Sequence, residues 1–253
     1  MPLVIQGAAA WPSSRIDIQA KTIPAILSGR DLIGLAQTGT GKTAAFTLPL
    51  LSQLVENNHE LTERAARVLI IAPTRELVQQ INESIRTYGK FTNLRTAIVM
   101  GGASERHQIE KLRSNVDIVI ATPGRLMALM EAGHTNFGKL THLVLDEADR
   151  MLDMGFLPDI QEITKSLPKR RQSLLFSATF PRGVETLALE WLHEPSRIEI
   201  EGTPEETPAI EQRAIRIDSD KRTPLLRHLL EAGGLLASAP PRVPCAPPSA
   251  PCF

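Results

Sequence analysis

Cysteine is almost missing from this chain: Cys245 and Cys252 are its only two, both within the last nine of 253 residues. No disulfide framework can brace the body of the chain, so a reducing compartment is favoured and a cytoplasmic location is expected. Net charge is missing as well, because 28 basic and 28 acidic residues cancel. A chain wrapped in nucleic acid is normally basic overall, so any such contact is expected on a local face that neutralises few phosphates. Long apolar runs are lacking too. The uncharged, apolar-rich stretch over 43–55 falls short of the roughly 20 residues that a bilayer-spanning helix needs. The first residues carry no basic segment and Gln6 interrupts their short apolar run, so no signal peptide is expected. No internal repeat is visible.

Against these absences stand two clusters. Ala36-Gln37-Thr38-Gly39-Thr40-Gly41-Lys42-Thr43 follows an uncharged run over 32–36 and leads into a helical pattern. Strand, glycine loop and helix are the context that a phosphate-binding P-loop requires. Gly39 and Gly41 let backbone N–H groups turn inward around phosphate oxygens, and the helix beginning near Lys42 adds its positive dipole end. Lys42 is expected to reach the β and γ phosphates, and Thr43 to ligate Mg²⁺. The second cluster, Asp146-Glu147-Ala148-Asp149, ends the apolar run over 143–145. Asp146 is expected to hold the same metal from the neighbouring strand end. The general P-loop pattern opens on glycine, and Ala36 stands there instead. With glycine at about 7% of residues, a chance match to the remaining pattern is expected in well under about one chain of this length in a hundred.

Short β-branched or leucine-rich runs recur over 32–36, 68–72, 96–100, 116–121, 143–145, 174–176 and 197–200, with helical patterns between them. That rhythm predicts an α/β fold with a mostly parallel sheet and helices on both faces. Apolar stripes at helical spacing mark the core sides of three helices: Phe46, Leu50 and Leu54; Leu77, Ile81, Ile85 and Tyr88; Phe156, Ile160, Ile163 and Leu167. Pro49 lies inside the first and is expected to bend it.

The polar or glycine-bearing clusters all follow the C-terminal ends of these runs: Gln37 onward, Pro73-Thr74-Arg75-Glu76-Leu77, Gly101-Gly102, Thr122-Pro123-Gly124-Arg125, 146–149, and Ser177-Ala178-Thr179. In open α/β sheets that edge is where ligands bind. Each cluster alone is ordinary turn chemistry, and Thr74 or Thr122 could simply cap a helix. Six on one edge favour a working surface.

Residues 1–14 suggest no defined structure, and 15–200 suggest the nucleotide-binding domain. The acidic, proline-containing segment 201–210 suggests a linker. A strand over 211–217 and a helix over 221–232 follow, within a segment ending at Gly234. Residues 235–253 hold six prolines between Pro240 and Pro251. That tail cannot bury enough apolar surface to offset the entropy of ordering, so disorder is expected.

Taken in order, Gln19, the 36–43 loop, Pro73-Thr74-Arg75-Glu76-Leu77, Gly101-Gly102, Thr122-Pro123-Gly124-Arg125, Asp146-Glu147-Ala148-Asp149 and Ser177-Ala178-Thr179 resemble the DEAD-box RNA helicases, with the bacterial members closest in appearance. The resemblance covers about 15–234. It implies a RecA-like P-loop domain, ATP and Mg²⁺ as ligands, and ATP-dependent separation of RNA strands. It makes Gln19 the reader of the adenine edge, and Gln37 to Thr43 the phosphate cradle. Glu147 becomes the residue that positions and polarises the attacking water beside Asp146 and Lys42. It assigns Pro73, Thr74, Arg75, Gly102, Thr122, Gly124 and Arg125 to the RNA backbone, which positions a strand without reading its bases. Arg75 and Arg125 could instead pair with a carboxylate such as Glu76 or Asp149. Asp149 is implied to bond to Ser177 and Thr179, coupling the nucleotide to the RNA face. Those two hydroxyls could alternatively cap a helix before Pro181.

Two departures modify these expectations. An aromatic upstream of the adenine-reading glutamine and a Pro-Thr-Pro-Ile-Gln run are usual in the family, and here Pro2 and 15–19 occupy those places, leaving Trp11 as a substitute for adenine stacking. Glu211-Gln212-Arg213 and 221–231 resemble the opening of a second RecA-like domain, with no counterpart to that domain's γ-phosphate arginines. An arginine finger is worth about 10³ to 10⁵ in rate. Slow hydrolysis is therefore expected of this chain alone, with unwinding dependent on a protein that supplies the second domain. A non-catalytic, nucleotide-responsive RNA-binding module and a functionless truncated product are the alternatives.

Overall fold

The computed structural model describes residues 17–57, 65–200, 215 and 217–231. Trp11 and the rest of 1–14, the 201–210 linker, most of the strand expected over 211–217, and the 235–253 tail lie outside the described residues. The chain divides into two compact units, Met1–Thr203 and Pro204–Phe253.

The first unit carries a seven-stranded sheet in the order β3-β4-β2-β5-β6-β1-β7, with every pairing parallel. In chain order the elements are α1 (Asp17–Leu27), β1 (Leu32–Leu35), α2 (Lys42–Glu56), β2 (Val68–Ile71), α3 (Arg75–Tyr88), β3 (Thr96–Val99), α4 (Glu105–Arg113), β4 (Ile118–Ala121), α5 (Pro123–Glu131), β5 (His142–Leu145), α6 (Ala148–Asp153), α7 (Leu157–Lys165), β6 (Gln172–Ser177), α8 (Arg182–Trp191) and β7 (Ser196–Glu199). All seven strands coincide with the apolar runs, shifted by a residue or two at their ends. Helix α2 continues through Pro49 to Glu56.

Strands β2 and β4 are apolar at every position because both sheet faces are covered. Leu32, Val68, Ile70, Ile118, Ile120, Val144, Leu174 and Phe176 point to one face, where α1, α2 and α3 contribute Ile26, Phe46, Leu50, Leu54, Ile81 and Ile85. Their neighbours Ile33, Leu35, Leu69, Ile71, Val119, Leu143, Leu145 and Leu175 point to the other. There Leu112, Leu126, Met151, Ile160, Ile163 and Val184 from α4 to α8 complete a second core. Gly34 is obligatory for space: a β-carbon would sit 2.6 Å from the Phe176 ring, which itself packs 5.3 Å from Phe46.

Buried polar groups tie the N-terminal ends of the strands. The Arg67 guanidinium binds Asp117 Oδ1 and the carbonyls of Leu54 and Asn57, while Asp117 Oδ2 accepts the Arg95 N–H at 2.8 Å. Asp31 accepts the backbone N–H groups of Ser173 and His193 at 2.8 and 2.7 Å. The polar clusters gather at the opposite, C-terminal edge of the strands. In the second unit the described residues form a 3-10 turn, Ser219–Lys221, and α9 (Arg222–Glu231). Among the described residues no helix is long and apolar enough to cross a membrane.

Candidate functional site

The segment between β1 and α2 folds as a loop because Gly39 and Gly41 take left-handed φ angles of +86° and +81°, which a side chain would strain. The Thr40 hydroxyl donates to the Gln37 carbonyl at 2.7 Å and steadies the turn. Gln37, Thr38 and Gly39 are exposed, while Thr40, Gly41 and Thr43 are half-buried. Gln19, buried on α1, donates its amide to the Gly41 carbonyl at 3.2 Å. The residue expected to read adenine therefore leans on the phosphate loop, with one amide proton already committed.

Lys42 opens α2 and is only 6% exposed, yet its Nζ has no hydrogen-bond partner. A buried ammonium without a partner is costly, so the site is built for an anion. Asp146 follows β5 at 2% exposure. Burial pushes its carboxyl up to about 6, opposed by the positive charge of Lys42 and reinforced by Glu147. The positive charge of Lys42 is felt at the Asp146 carboxyl, and both residues lie beyond C-terminal strand ends. The two strands are nevertheless not neighbours as anticipated: β6 runs between β1 and β5. The crossover through α2 carries the chain past two strand positions, an outcome that no local pattern encodes.

Glu147 adopts φ +53°, a strained angle for a non-glycine residue. It donates its N–H to Asp146 Oδ1 at 3.0 Å, and its carboxylate meets the Arg150 guanidinium at 3.2 Å. Arg150 went unnoticed in the sequence, although its spacing of three from Glu147 on a helix start is a legible pairing signal. The backbone N–H of Asp149 donates to the Ser177 hydroxyl at 3.1 Å. Its carboxylate accepts the Thr179 N–H at 2.9 Å and the Thr179 hydroxyl at 2.8 Å. Burial raises the Asp149 carboxyl, but the bonds from Thr179, Ser177 and Arg150 outweigh it and hold the group below its ordinary value. No side-chain cap is made at the start of α8, so Ser177 and Thr179 serve Asp149 rather than that helix.

On the same edge, Pro73 is buried and Thr74 caps α3 by accepting the Leu77 N–H at 3.2 Å. Thr122 precedes α5 without a side-chain cap bond. Arg75 is exposed and pairs with no carboxylate among the described residues; its guanidinium lies against Gly102, where a β-carbon would collide with it. Arg125, beside the exposed Gly124, pairs with Glu105 of α4 at 3.1 Å, neither of the carboxylates anticipated for it.

A parallel sheet with a P-loop and an acidic strand tip at its C-terminal edge defines a P-loop α/β nucleotide-binding domain. Comparison with known proteins narrows the class. Residues 16–187 match the model of the DEAD/DEAH box helicase family. DEAD-box ATP-dependent RNA helicase 30 of Arabidopsis thaliana is 50% identical over 186 residues, which is 74% of this chain and 32% of that protein. The probable ATP-dependent RNA helicase DDX46 of Homo sapiens is 39% identical over 226 residues, 87% of this chain and 22% of that protein. The crystal structure of a DEAD box protein from the hyperthermophile Methanococcus jannaschii superposes with a TM-score of 0.68 at 36% identity, covering 85% of this chain and 56% of that one. This chain belongs to the DEAD/DEAH box helicase family, and its first unit is a RecA-like domain. These relatives are a plant, a human and an archaeal protein, so the bacterial likeness finds no support among them. The chain spans about a quarter to a third of the length of the two helicases.

Proposed function

We propose that this chain is the nucleotide-binding half of an ATP-dependent RNA helicase, taking Mg²⁺-ATP and the backbone of single-stranded RNA on one sheet edge. The observation that carries it is the buried, partnerless Lys42 ammonium facing the electrostatic field of Asp146 at the strand tips.

The donor set suits the ligands. Gly39, Gly41 and the first turn of α2 offer N–H groups, and Lys42 offers charge, for a triphosphate. Thr43 and Asp146 are the residues that would hold Mg²⁺, which when bound neutralises charge on the phosphates. Gln37, Thr38 and Thr40 shape the cradle, and Gln19 keeps an amide oxygen and a second proton for the adenine edge. Glu147 orients the attacking water once Arg150 releases or shares its carboxylate. Asp149 carries the nucleotide state through Ser177 and Thr179. Pro73, Thr74, Arg75, Gly102, Thr122, Gly124 and Arg125 grip RNA sugar-phosphate without reading bases. Strand separation belongs to this unit working with a second RecA-like domain, supplied by a protein partner. A cytoplasmic location completes the proposal.

Calorimetric titration of Mg²⁺-ATP and steady-state turnover with and without single-stranded RNA test it, with Lys42→Ala as control. We expect ATP binding that Lys42→Ala weakens by roughly tenfold or more, and no RNA-stimulated turnover by this chain alone. Equal binding by Lys42→Ala removes the nucleotide site. Strong RNA stimulation shows that the second domain is dispensable.

A further inference from the structure

Strand β3 forms one border of the sheet and pairs only with β4. Beyond its last residue the chain enters Gly101-Gly102, the turn that meets the Arg75 guanidinium. The Val99 carbonyl accepts the Thr122 N–H at 2.9 Å and so faces β4. Because peptide groups alternate along a strand, the N–H and C=O of Met100 face the open border, where no strand among the described residues receives them. One side chain receives both. Gln108 of α4 accepts the Met100 N–H at 3.2 Å and donates to the Met100 carbonyl at 2.9 Å. Its carboxamide thereby copies the donor and acceptor pair of a neighbouring peptide. Gln108 is 5% exposed, whereas residues 101–107 are all exposed. The sole buried polar side chain in this stretch is spent on one backbone position. One turn earlier on the same helix, Glu105 holds Arg125 at 3.1 Å.

We infer that Gln108 is a positioning residue for RNA contact: it stands in for a missing strand at Met100 and fixes how β3 hands the chain to Gly101-Gly102, and hence where Arg75 rests. The side-chain hydrogen bonds of Gln108 go to Met100 alone, and none to the phosphate loop. The inference rests on the RNA reading of this edge, but the backbone claim can be tested apart from it.

Hydrogen exchange read by mass spectrometry on Gln108→Leu, of similar size but unable to make either bond, tests the backbone claim. Exchange across 100–102 should accelerate by about tenfold or more while β1 and β5 stay protected. Gln108→Glu keeps the acceptor but loses the donor, and should fall between Leu and wild type. In parallel, the affinity of the chain for a labelled oligouridylate should drop about tenfold in Gln108→Leu, with Mg²⁺-ADP affinity held within about twofold. Unchanged exchange at 100–102 overturns the inference. So does a loss of oligouridylate affinity that tracks an equal loss of Mg²⁺-ADP affinity, which marks general loosening. A wild-type chain that ignores oligouridylate, with the turn still loosened by Gln108→Leu, overturns the RNA reading while the role at the backbone holds.

Discussion

Thr179 donates twice to the same carboxylate oxygen of Asp149, from its backbone N–H at 2.9 Å and its hydroxyl at 2.8 Å. The bond crosses from the tip of β6 to the start of α6, joining two clusters that lie thirty residues apart in the chain. Thr179→Val deletes the hydroxyl bond and keeps the shape. The Asp149 carboxyl should rise toward its ordinary value in a carbon-detected NMR titration. Because the bond is exposed, folding stability should fall by only about 0.5 to 1 kcal/mol. An unmoved Asp149 titration shows that the hydroxyl does not act on this carboxylate.

Lys42→Met preserves the buried stem and removes only the charged tip. The tip makes no hydrogen bond in the free chain and its burial is costly, so the melting temperature without ligand should rise rather than fall. A charge-assisted bond contributes about 1.5 to 3 kcal/mol, so ATP affinity should fall by roughly ten- to a hundredfold. Thermal melts with and without Mg²⁺-ATP report both effects, through the loss of the ligand-induced shift.

Gly34→Ala should destabilise the fold by about 1 to 3 kcal/mol. The new methyl meets the Phe176 ring, which is fully buried and cannot swing aside. Urea unfolding measures the loss, and adding Phe176→Leu should recover part of it. Full tolerance of alanine would mean that β1 and β6 sit further apart than described.

His142, at the start of β5, supplies a pH dependence. Burial, then the positive charge of Arg67, pulls its pKa down from 6.5 to about 4. Between those values the unfolded chain holds a proton that the folded chain does not. Stability is therefore intact above pH 6.5 and declines as pH falls toward 4. The loss from this group should reach about 2 kcal/mol at pH 5. Asp146, raised to about 6, gains stability over the same range, so urea melts at pH 7.5 and 5 should show the His142 loss as the difference between the wild type and His142→Gln.

The strands were legible because a strand buried on both faces must be apolar throughout, and 68–72 or 174–176 has no other plausible use. The phosphate loop was legible because few sequences tolerate glycine, lysine and threonine at that spacing. Strand order was not, since the crossover that carries β2 past β6 and β5 leaves no trace in either strand. The partners of Arg125 and Arg67 were equally hidden. Arg67 meets a residue fifty positions away, and Glu105 reaches Arg125 only through the placement of α4. Thr74 carries two meanings at once, capping α3 while lying on the proposed RNA face. Spacing alone could not separate them.

The intervening strand β6 sets the route by which one cluster can feel another. The glycine loop and the acidic tetrad follow the strands on either side of it, so the tip of β6 lies between them. That strand ends in Ser177, whose carbonyl accepts the Ala36 N–H on one side while its hydroxyl accepts the Asp149 N–H on the other. A single serine thus receives backbone N–H groups from both halves of the pocket.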